Sequence, residues 1–200
     1  MKKLTIADWR WINVPERSSI SDQEIIIHTT PDTDFWRGTY YGLEYDNAPA
    51  IVVASEEQYW TLKAKVSFAS NVHFDQCGLF IYQDKNNWMK SGIEYQNNGF
   101  QQLFSVVTNN GFSDWSMVNF DRITQTMYYR LSRRGSDFLL ENSVDGIHFC
   151  TMRMFHMFHA ETLVQFGFFA SSPGDSSFAA HFSEIEWTEC CWKEHGAPRF

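Results

Sequence analysis

The segment WMKSGIEY carries side chains whose types and spacing suit ligand chemistry. If it forms a β-strand, Trp88, Lys90, Gly92 and Glu94 share one face, because residues two apart along a strand point the same way. An indole stacks on apolar ring faces, whereas an ammonium and a carboxylate form hydrogen bonds or transfer protons. Gly92 leaves a gap in which a ligand can approach the backbone. The alternative is a solvated sheet face with ordinary surface charges.

The preceding segment, FDQCGLFIYQ, extends this candidate face. The alternate positions counted from Asp75 are, taken together, the more apolar set, and we expect them to face the core. Gln76 and Tyr82 then point the other way, and a short DKNN turn brings them beside Lys90 and Glu94 of the next strand. The two segments together predict a mixed polar and aromatic patch.

Two further segments pair an aspartate with a tryptophan. In FSDWS, Asp114 can accept hydrogen bonds from sugar hydroxyls and Trp115 can stack on a sugar ring. TDFW offers Asp34 and Trp36 in the same two roles. The alternatives are a local cap of backbone amides by Asp114, with Trp115 folded onto the sandwich edge, and a core position for Trp36.

The elements that must position these residues are strands, because period-two alternation dominates the chain. Strands are expected at 24–30, 59–68, 74–83, 88–95, 101–108, 126–134, 137–143, 149–155, 163–170 and 180–188. Polar turns such as DKNN, QNNG, RRGS and SVDG connect them. Such numerous, closely spaced strands indicate an all-β sandwich or barrel. Residues 1–200 are expected to form one domain, with a tail at 190–200.

Charge and composition limit the classes of partner. The formal net charge of -8 provides no basic excess for binding nucleic acid or an anionic membrane surface. No apolar run approaches the roughly 18 residues of a membrane span, and the N-terminus lacks the apolar region of a signal peptide. The four cysteines have neither disulfide-framework nor zinc-site spacing. We therefore expect a cytoplasmic protein with reduced thiols and with no metal or other cofactor.

Six segments occur in an order typical of one protein family: TDFW, FDQCGLFIY, WMKSGIEY, VVTNNGFSDWS, SVDGIHF and FGFFASSP. Because of these segments, the chain resembles the family of unknown function related to the fungal regulator-of-enolase protein. The resemblance covers about residues 9–188. That family belongs to the concanavalin A-like lectin/glucanase superfamily. The resemblance implies a jelly-roll sandwich of two antiparallel sheets, one of them concave. In the wider superfamily that face often binds glycans. The family brings no established enzymatic activity.

The leading hypothesis is that the concave face binds a carbohydrate or a carbohydrate-like small molecule. Stacking is expected from Trp88, Trp115 and Trp36. Hydrogen bonds to hydroxyls are expected from Lys90, Glu94, Gln76 and Asp114, with Tyr82 beside them. Such grooves combine stacking for affinity with polar groups for orientation.

Two other functions remain open. The first is a glycoside-active enzyme in which Glu94 is the general acid or base and Asp75 or Asp114 is the second carboxylate. Lys90 is expected to lower the pKa of Glu94, which favours a base or a nucleophile. The second is a protein-interaction module without a small ligand, marked by exposed apolar side chains such as Trp192 and Phe200.

Overall fold

A computed structural model of the chain describes residues 4–40, 42–70, 72–96 and 99–193. It contains one short 3-10 helix, Ile6–Asp8, and the following strands. In chain order these are β1 (Arg10–Asn13), β2 (Ser18–Ile20), β3 (Glu24–His28), β4 (Phe35–Arg37), β5 (Glu44–Asp46), β6 (Ala50–Ser55), β7 (Tyr59–Phe68), β8 (Gln76–Asp84), β9 (Asn87–Tyr95), β10 (Gln101–Asn109), β11 (Phe112–Phe120), β12 (Thr126–Arg134), β13 (Asp137–Ser143), β14 (Cys150–His156), β15 (Val164–Ser171) and β16 (Ala179–Thr188). Within the described ranges, no helix has the length and apolar character needed to span a membrane.

Two seven-stranded sheets form the body of the protein. Sheet 1 has the order β1-β6-β15-β8-β9-β10-β11, and sheet 2 has the order β14-β13-β12-β7-β16-β3-β2. Neighbouring strands are antiparallel in both sheets. The predicted all-β sandwich of two antiparallel sheets is therefore confirmed.

The main core lies between the two sheets. Trp60 stacks on Phe166 with ring centroids 4.0 Å apart, and Phe168 stacks on Phe182 at 4.5 Å. Both pairs join β15 of sheet 1 to sheet 2, the first to β7 and the second to β16. Alternation along β7 and β12 puts their apolar side chains into this core, so the predicted bounds of both strands match the structure.

A second, smaller layer covers the outer face of sheet 1, which is the face directed away from sheet 2. The hairpin of β4 and β5 forms a separate two-stranded sheet there. Under this cover, β6, β8, β9 and β10 are buried on both faces along most of their length. The outer face of sheet 1 is therefore a place where polar side chains become buried.

Several predicted elements differ from the structure. Strands β6 and β11 were not expected, and neither were the short strands β1, β2, β4 and β5. The predicted QNNG turn includes residues 97 and 98, and most of the predicted tail is 194–200; both lie outside the described residues. The tail begins against sheet 2, because the backbone N–H of Cys191 donates to Thr61 Oγ1 at 2.9 Å.

Arg133 ties the end of β12 to two loops and should carry much of their stability. Its fully buried guanidinium donates to the carbonyl oxygens of Gly135 and Glu57 at 2.7 Å, and to those of Ala160 and Thr162 at 2.7 and 3.0 Å. Replacement by methionine removes the guanidinium donors from these carbonyls, although that of Thr162 also accepts from Gln58 Nε2 at 3.4 Å. Each buried carbonyl left unsatisfied costs roughly 1–3 kcal/mol.

We therefore expect Arg133→Met to lower the free energy of unfolding by about 3 kcal/mol, measured by urea denaturation. The matched variant Arg10→Met changes an exposed arginine and should alter stability by no more than about 0.5 kcal/mol. Equal stability of the two variants would contradict the assigned role of Arg133.

Candidate functional site

Arg37 holds the β4–β5 hairpin over sheet 1. Its side chain donates to Glu44 at 2.7 Å and to Asp46 at 3.0 Å, both on β5, and to the carbonyl oxygen of Lys85 at 2.8 Å. Its backbone N–H also donates to the hydroxyl of Ser113 on β11 at 3.0 Å. One arginine therefore joins the two hairpin strands to each other and to sheet 1.

An aromatic cluster fills the space under this hairpin. Phe35 of the hairpin packs on Phe80 and Trp88 of sheet 1, with ring centroids 4.6 and 5.6 Å apart. Trp88 is fully buried, so the prediction that it stacks on a ligand is wrong: the hairpin already covers its ring. Tyr82 packs beside Phe80 at the edge of this cluster and does not line the cavity described next.

A cavity of about 440 Å³ lies beside this cluster, between the hairpin and the outer face of sheet 1. Its aromatic walls are Trp36, Tyr45, Phe74 and Trp115. Its polar lining includes Asp32, Asp34, Gln76, Lys90 and Glu94. The structure thus brings together Gln76, Lys90, Glu94, Trp36 and Trp115, which the sequence proposed as ligand-binding residues.

The polar groups form one continuous hydrogen-bonded chain. Lys90 Nζ donates to Asp34 Oδ1 and to Gln76 Oε1, the latter at 3.0 Å. Gln76 Nε2 donates in turn to Glu94 Oε2 at 3.2 Å. Because an ammonium only donates and a carboxylate only accepts, these two neighbours determine which way the Gln76 amide points.

The chain continues from Glu94 toward the surface. Gln96 Nε2 donates to Glu94 Oε1 at 2.6 Å, and His73 Nε2 lies 3.0 Å from Gln96 Oε1, which accepts its hydrogen bond. We call the six residues from Asp34 to His73 the polar chain; they are Asp34, Lys90, Gln76, Glu94, Gln96 and His73. Both carboxylate oxygens of Glu94 thus accept one amide N–H each.

The pKa of Glu94 is strongly shifted from its usual value. Burial raises its pKa to about 7, and the charge of Asp34 adds to this rise. The ammonium of Lys90 and the hydrogen bond from Gln96 lower the pKa but do not offset burial. The predicted lowering by Lys90 is present, but burial of Glu94, which is 6% exposed, outweighs it. The net pKa is therefore raised, and the expected preference for a base or a nucleophile over an acid does not follow.

Two tryptophans form a right-angled corner of the cavity. Trp36 and Trp115 meet edge to face at an interplanar angle of 88°, with centroids 6.3 Å apart. The indole N–H of Trp36 donates to the carbonyl oxygen of Thr39 at 3.2 Å, which fixes the ring of Trp36 on the hairpin. Trp115 is 40% exposed. This aromatic corner, Trp36 with Trp115, offers an open apolar surface next to the polar chain.

Neither aspartate proposed as the second carboxylate lines the cavity. Asp114 points to the other face of β11 and forms an ion pair with Arg153 at 2.8 Å. Asp75 is buried and accepts hydrogen bonds from the Ser176 hydroxyl at 2.5 Å and the Val72 amide at 3.2 Å. The carboxylates that do share the cavity with Glu94 are Asp34 and Asp32. The sequence offered Asp34 only as a hydrogen-bond acceptor in TDFW, and it did not single out Asp32.

Gly92 also does not provide a gap in which a ligand can approach the backbone. It faces Gly78 across the β8–β9 pair, and a Cβ on Gly92 would lie 1.9 Å from the carbonyl oxygen of Cys77. The backbone of the neighbouring strand occupies the space that the sequence left open. Gln96 was missed as a site residue, although it continues the alternation from Lys90 through Glu94 by one more step.

No metal centre accompanies these groups: in the described part of the chain, no three His, Cys, Asp or Glu side chains are grouped so as to hold a metal ion. What the cavity contains is an aromatic corner, a buried polar chain and one carboxyl group that titrates near neutrality. Such a site can bind a polar small molecule and can give or take a proton.

These features define a β-sandwich with an aromatic and polar cavity on the outer face of sheet 1, and comparison with known proteins identifies the family. The chain belongs to the family described as "Protein of unknown function (DUF1349)", whose model matches residues 11–190. A relative in Saccharomyces cerevisiae, "Regulation of enolase protein 1", is 29% identical over 131 residues. That match covers 66% of this chain and 65% of the yeast protein.

Solved structures share the fold. A functionally unknown protein from Saccharomyces cerevisiae superposes with a TM-score of 0.85 at 25% identity, over 93% of this chain and 98% of that one. A xylan β-1,4-xylosidase from Bacillus halodurans superposes with a TM-score of 0.72 at 11% identity, over 94% of this chain but 38% of the enzyme. The predicted concanavalin A-like jelly roll is therefore confirmed, and at such low identity the enzyme is similar in fold alone.

Proposed function

We propose that the cavity on the outer face of sheet 1 binds a carbohydrate or a carbohydrate-like small molecule. The observation that carries this proposal is the aromatic corner of Trp36 and Trp115 next to the polar chain, in one cavity of about 440 Å³. Ligand pockets in proteins typically measure roughly 300–1,000 Å³ and combine apolar walls with a few polar groups. The similarity in fold to a xylan β-1,4-xylosidase is consistent with this proposal.

Each part of the cavity has a distinct role in this proposal. The exposed face of Trp115 stacks on the apolar face of a sugar ring, and Trp36 closes one side. Glu94 accepts hydrogen bonds from hydroxyls through the lone pairs that its two amide partners leave free. Hydrogen bonds to a charged acceptor in a buried site are stronger than those to neutral groups, so Glu94 orients the ligand.

Catalysis is a second candidate, because the pKa of Glu94 is about 7. A carboxyl group with this pKa is populated in both protonation states near neutrality, which suits general acid or base catalysis. Asp34 replaces Asp75 and Asp114 as the second carboxylate of such a mechanism. Its engagement with Lys90 supports a role as an ionised, charge-stabilising group.

The protein-interaction alternative receives less support. Trp192 is half-buried in the structure, and Phe200 lies outside the described residues. The exposed large apolar side chains Leu43, Tyr45, Phe74 and Trp115 line the cavity rather than a separate flat patch. An exposed apolar patch is what a docking module needs.

A thermal-shift screen with mono- and oligosaccharides, followed by calorimetry of the hits, tests the binding proposal. A ligand that binds only the folded state raises Tm. We expect Trp115→Ala to weaken binding of a hit by about tenfold, the loss of roughly 1.4 kcal/mol that one aromatic contact provides.

The matched control is Tyr59→Ala, which removes an exposed aromatic residue on sheet 2 and should leave affinity unchanged. A broad panel without a single hit would overturn the proposal. A hit that binds Trp115→Ala as tightly as the parent would also overturn it.

A further inference from the structure

The cavity is acidic. Three carboxylates line it, those of Asp32, Asp34 and Glu94, against one ammonium, that of Lys90, in the described part of the chain. With all of these groups ionised, the lining has two more negative charges than positive ones. A neutral polyol does not need this excess, so the charge balance carries information about the ligand.

The single positive charge is not available to a ligand. Lys90 Nζ donates to Asp34 and to Gln76, and its side chain is 4% exposed. It lies 5.8 Å from the ring centroid of Phe104 and 6.0 Å from that of Phe169, within the range of cation–π attraction. Its charge is therefore balanced locally by Asp34 and by aromatic faces beneath it.

Glu94 retains capacity to accept hydrogen bonds. An ionised carboxylate has about four acceptor positions, and the structure fills two of them with the amides of Gln76 and Gln96. Glu94 is one of the residues that line the cavity, so its unfilled acceptor capacity is available to a ligand there. A hydroxyl donates one proton to such an acceptor, whereas an ammonium donates up to three and also brings the compensating charge.

The aromatic walls favour a cation as well. The faces of Trp and Tyr rings attract ammonium groups, and Trp36, Trp115 and Tyr45 stand around the same cavity. Tyr45 and Trp115 are each about 40% exposed, so their faces are accessible to a ligand. The aromatic corner thus serves both a sugar ring and a positive charge next to it.

We propose that the ligand is a sugar that carries a free ammonium group, with the ring on the aromatic corner and the ammonium next to Glu94. This inference rests on the proposed function, because it specifies the class of carbohydrate. Asp34 and Lys90 form a neutral pair beside it, and Asp32 adds negative charge at the rim.

Calorimetry with matched sugars tests the inference. Three series are compared at pH 7: glucose, glucosamine and N-acetylglucosamine, and the corresponding galactose and mannose compounds. In at least one series the amino sugar should bind at least tenfold more tightly than the parent sugar and than its N-acetyl form, which retains the bulk at that carbon but loses the charge.

Variants separate charge from stacking. Glu94→Gln should abolish the preference for the amino sugar and bring its affinity down to that of the neutral sugar for the same variant, because the negative charge is lost while shape and stacking are retained. Trp115→Ala should weaken both ligands together. Asp137→Asn, which changes an exposed carboxylate on sheet 2 that pairs with His156, is the matched control and should leave the preference intact.

The outcomes are distinguishable. Equal affinity for the amino and neutral sugars would overturn the inference and leave the proposed function standing. Binding of neither class would overturn both. A preference for the amino sugar that survives Glu94→Gln would overturn the assignment of Glu94 as the group that recognises the ammonium.

Discussion

The Glu94→Gln variant is expected to lose a pH dependence of stability that the parent protein shows. Burial raises the pKa of Glu94 from 4.5 to about 7 on folding. Between these two values the folded state binds more protons than the unfolded state, so the stability present below pH 4.5 is lost as the pH rises through 7. At 1.36 kcal/mol per pKa unit, this loss is about 3 kcal/mol for the parent.

Urea denaturation from pH 4.5 to pH 8.5 measures the effect as the difference between the parent and the variant. The difference between the two curves should change by about 3 kcal/mol across this range, because other titrating groups contribute equally to both proteins. Glu186→Gln changes a more exposed carboxylate that pairs with Lys63 on sheet 2, and it should retain the parental slope. Parallel curves for the parent and Glu94→Gln would show that Glu94 titrates normally.

The Gly92→Ala variant is expected to lose at least about 3 kcal/mol of unfolding free energy, more than most single substitutions. A Cβ at this position would lie 1.9 Å from the carbonyl oxygen of Cys77 and 2.7 Å from its carbonyl carbon. Both are backbone atoms of β8, so no side-chain rotation relieves the overlap. The β8–β9 pair would have to separate at the point where it carries Gln76 and Glu94.

Gly174→Ala provides the matched control. The atoms nearest to a Cβ at Gly174 lie 3.9 Å away, an ordinary contact, so this variant should keep its stability within about 0.5 kcal/mol. Circular dichroism establishes whether each variant folds, and urea denaturation then gives its stability. Unfolding of Gly92→Ala at the same urea concentration as Gly174→Ala would mean that the two strands tolerate the methyl group.

Strands with one buried face could be predicted closely from the sequence. The expected bounds of β7, β12 and β13 match the structure: buried side chains recur at alternate positions along much of β7 and β12, and polar turns delimit β13. β6 was missed because its AIVVAS segment is buried on both faces, so it shows no alternation. β11 was missed for the opposite reason, because it is an edge strand that is exposed along most of its length.

The sequence could predict only those site residues that neighbouring strands of one sheet bring together. Alternation along β8 and β9 was enough to place Gln76, Lys90 and Glu94 on one face. Asp34 could not be assigned to that face, because it reaches Lys90 from 56 residues away in sequence. The rise in the pKa of Glu94 depends on its burial, which local sequence patterns do not reveal.

The hairpin makes the shape of the cavity separable from the folding of the two large sheets. Within the described residues, β4 and β5 pair with each other in a sheet of their own. The hydrogen bonds of Arg37 and the packing of Phe35 attach them to sheet 1. Substitutions between β3 and β6 can therefore reshape the wall formed by Trp36 and Tyr45 without shifting the register of the sandwich. Proteins that share this jelly roll can therefore differ in the shape of this cavity while their folds stay superposable.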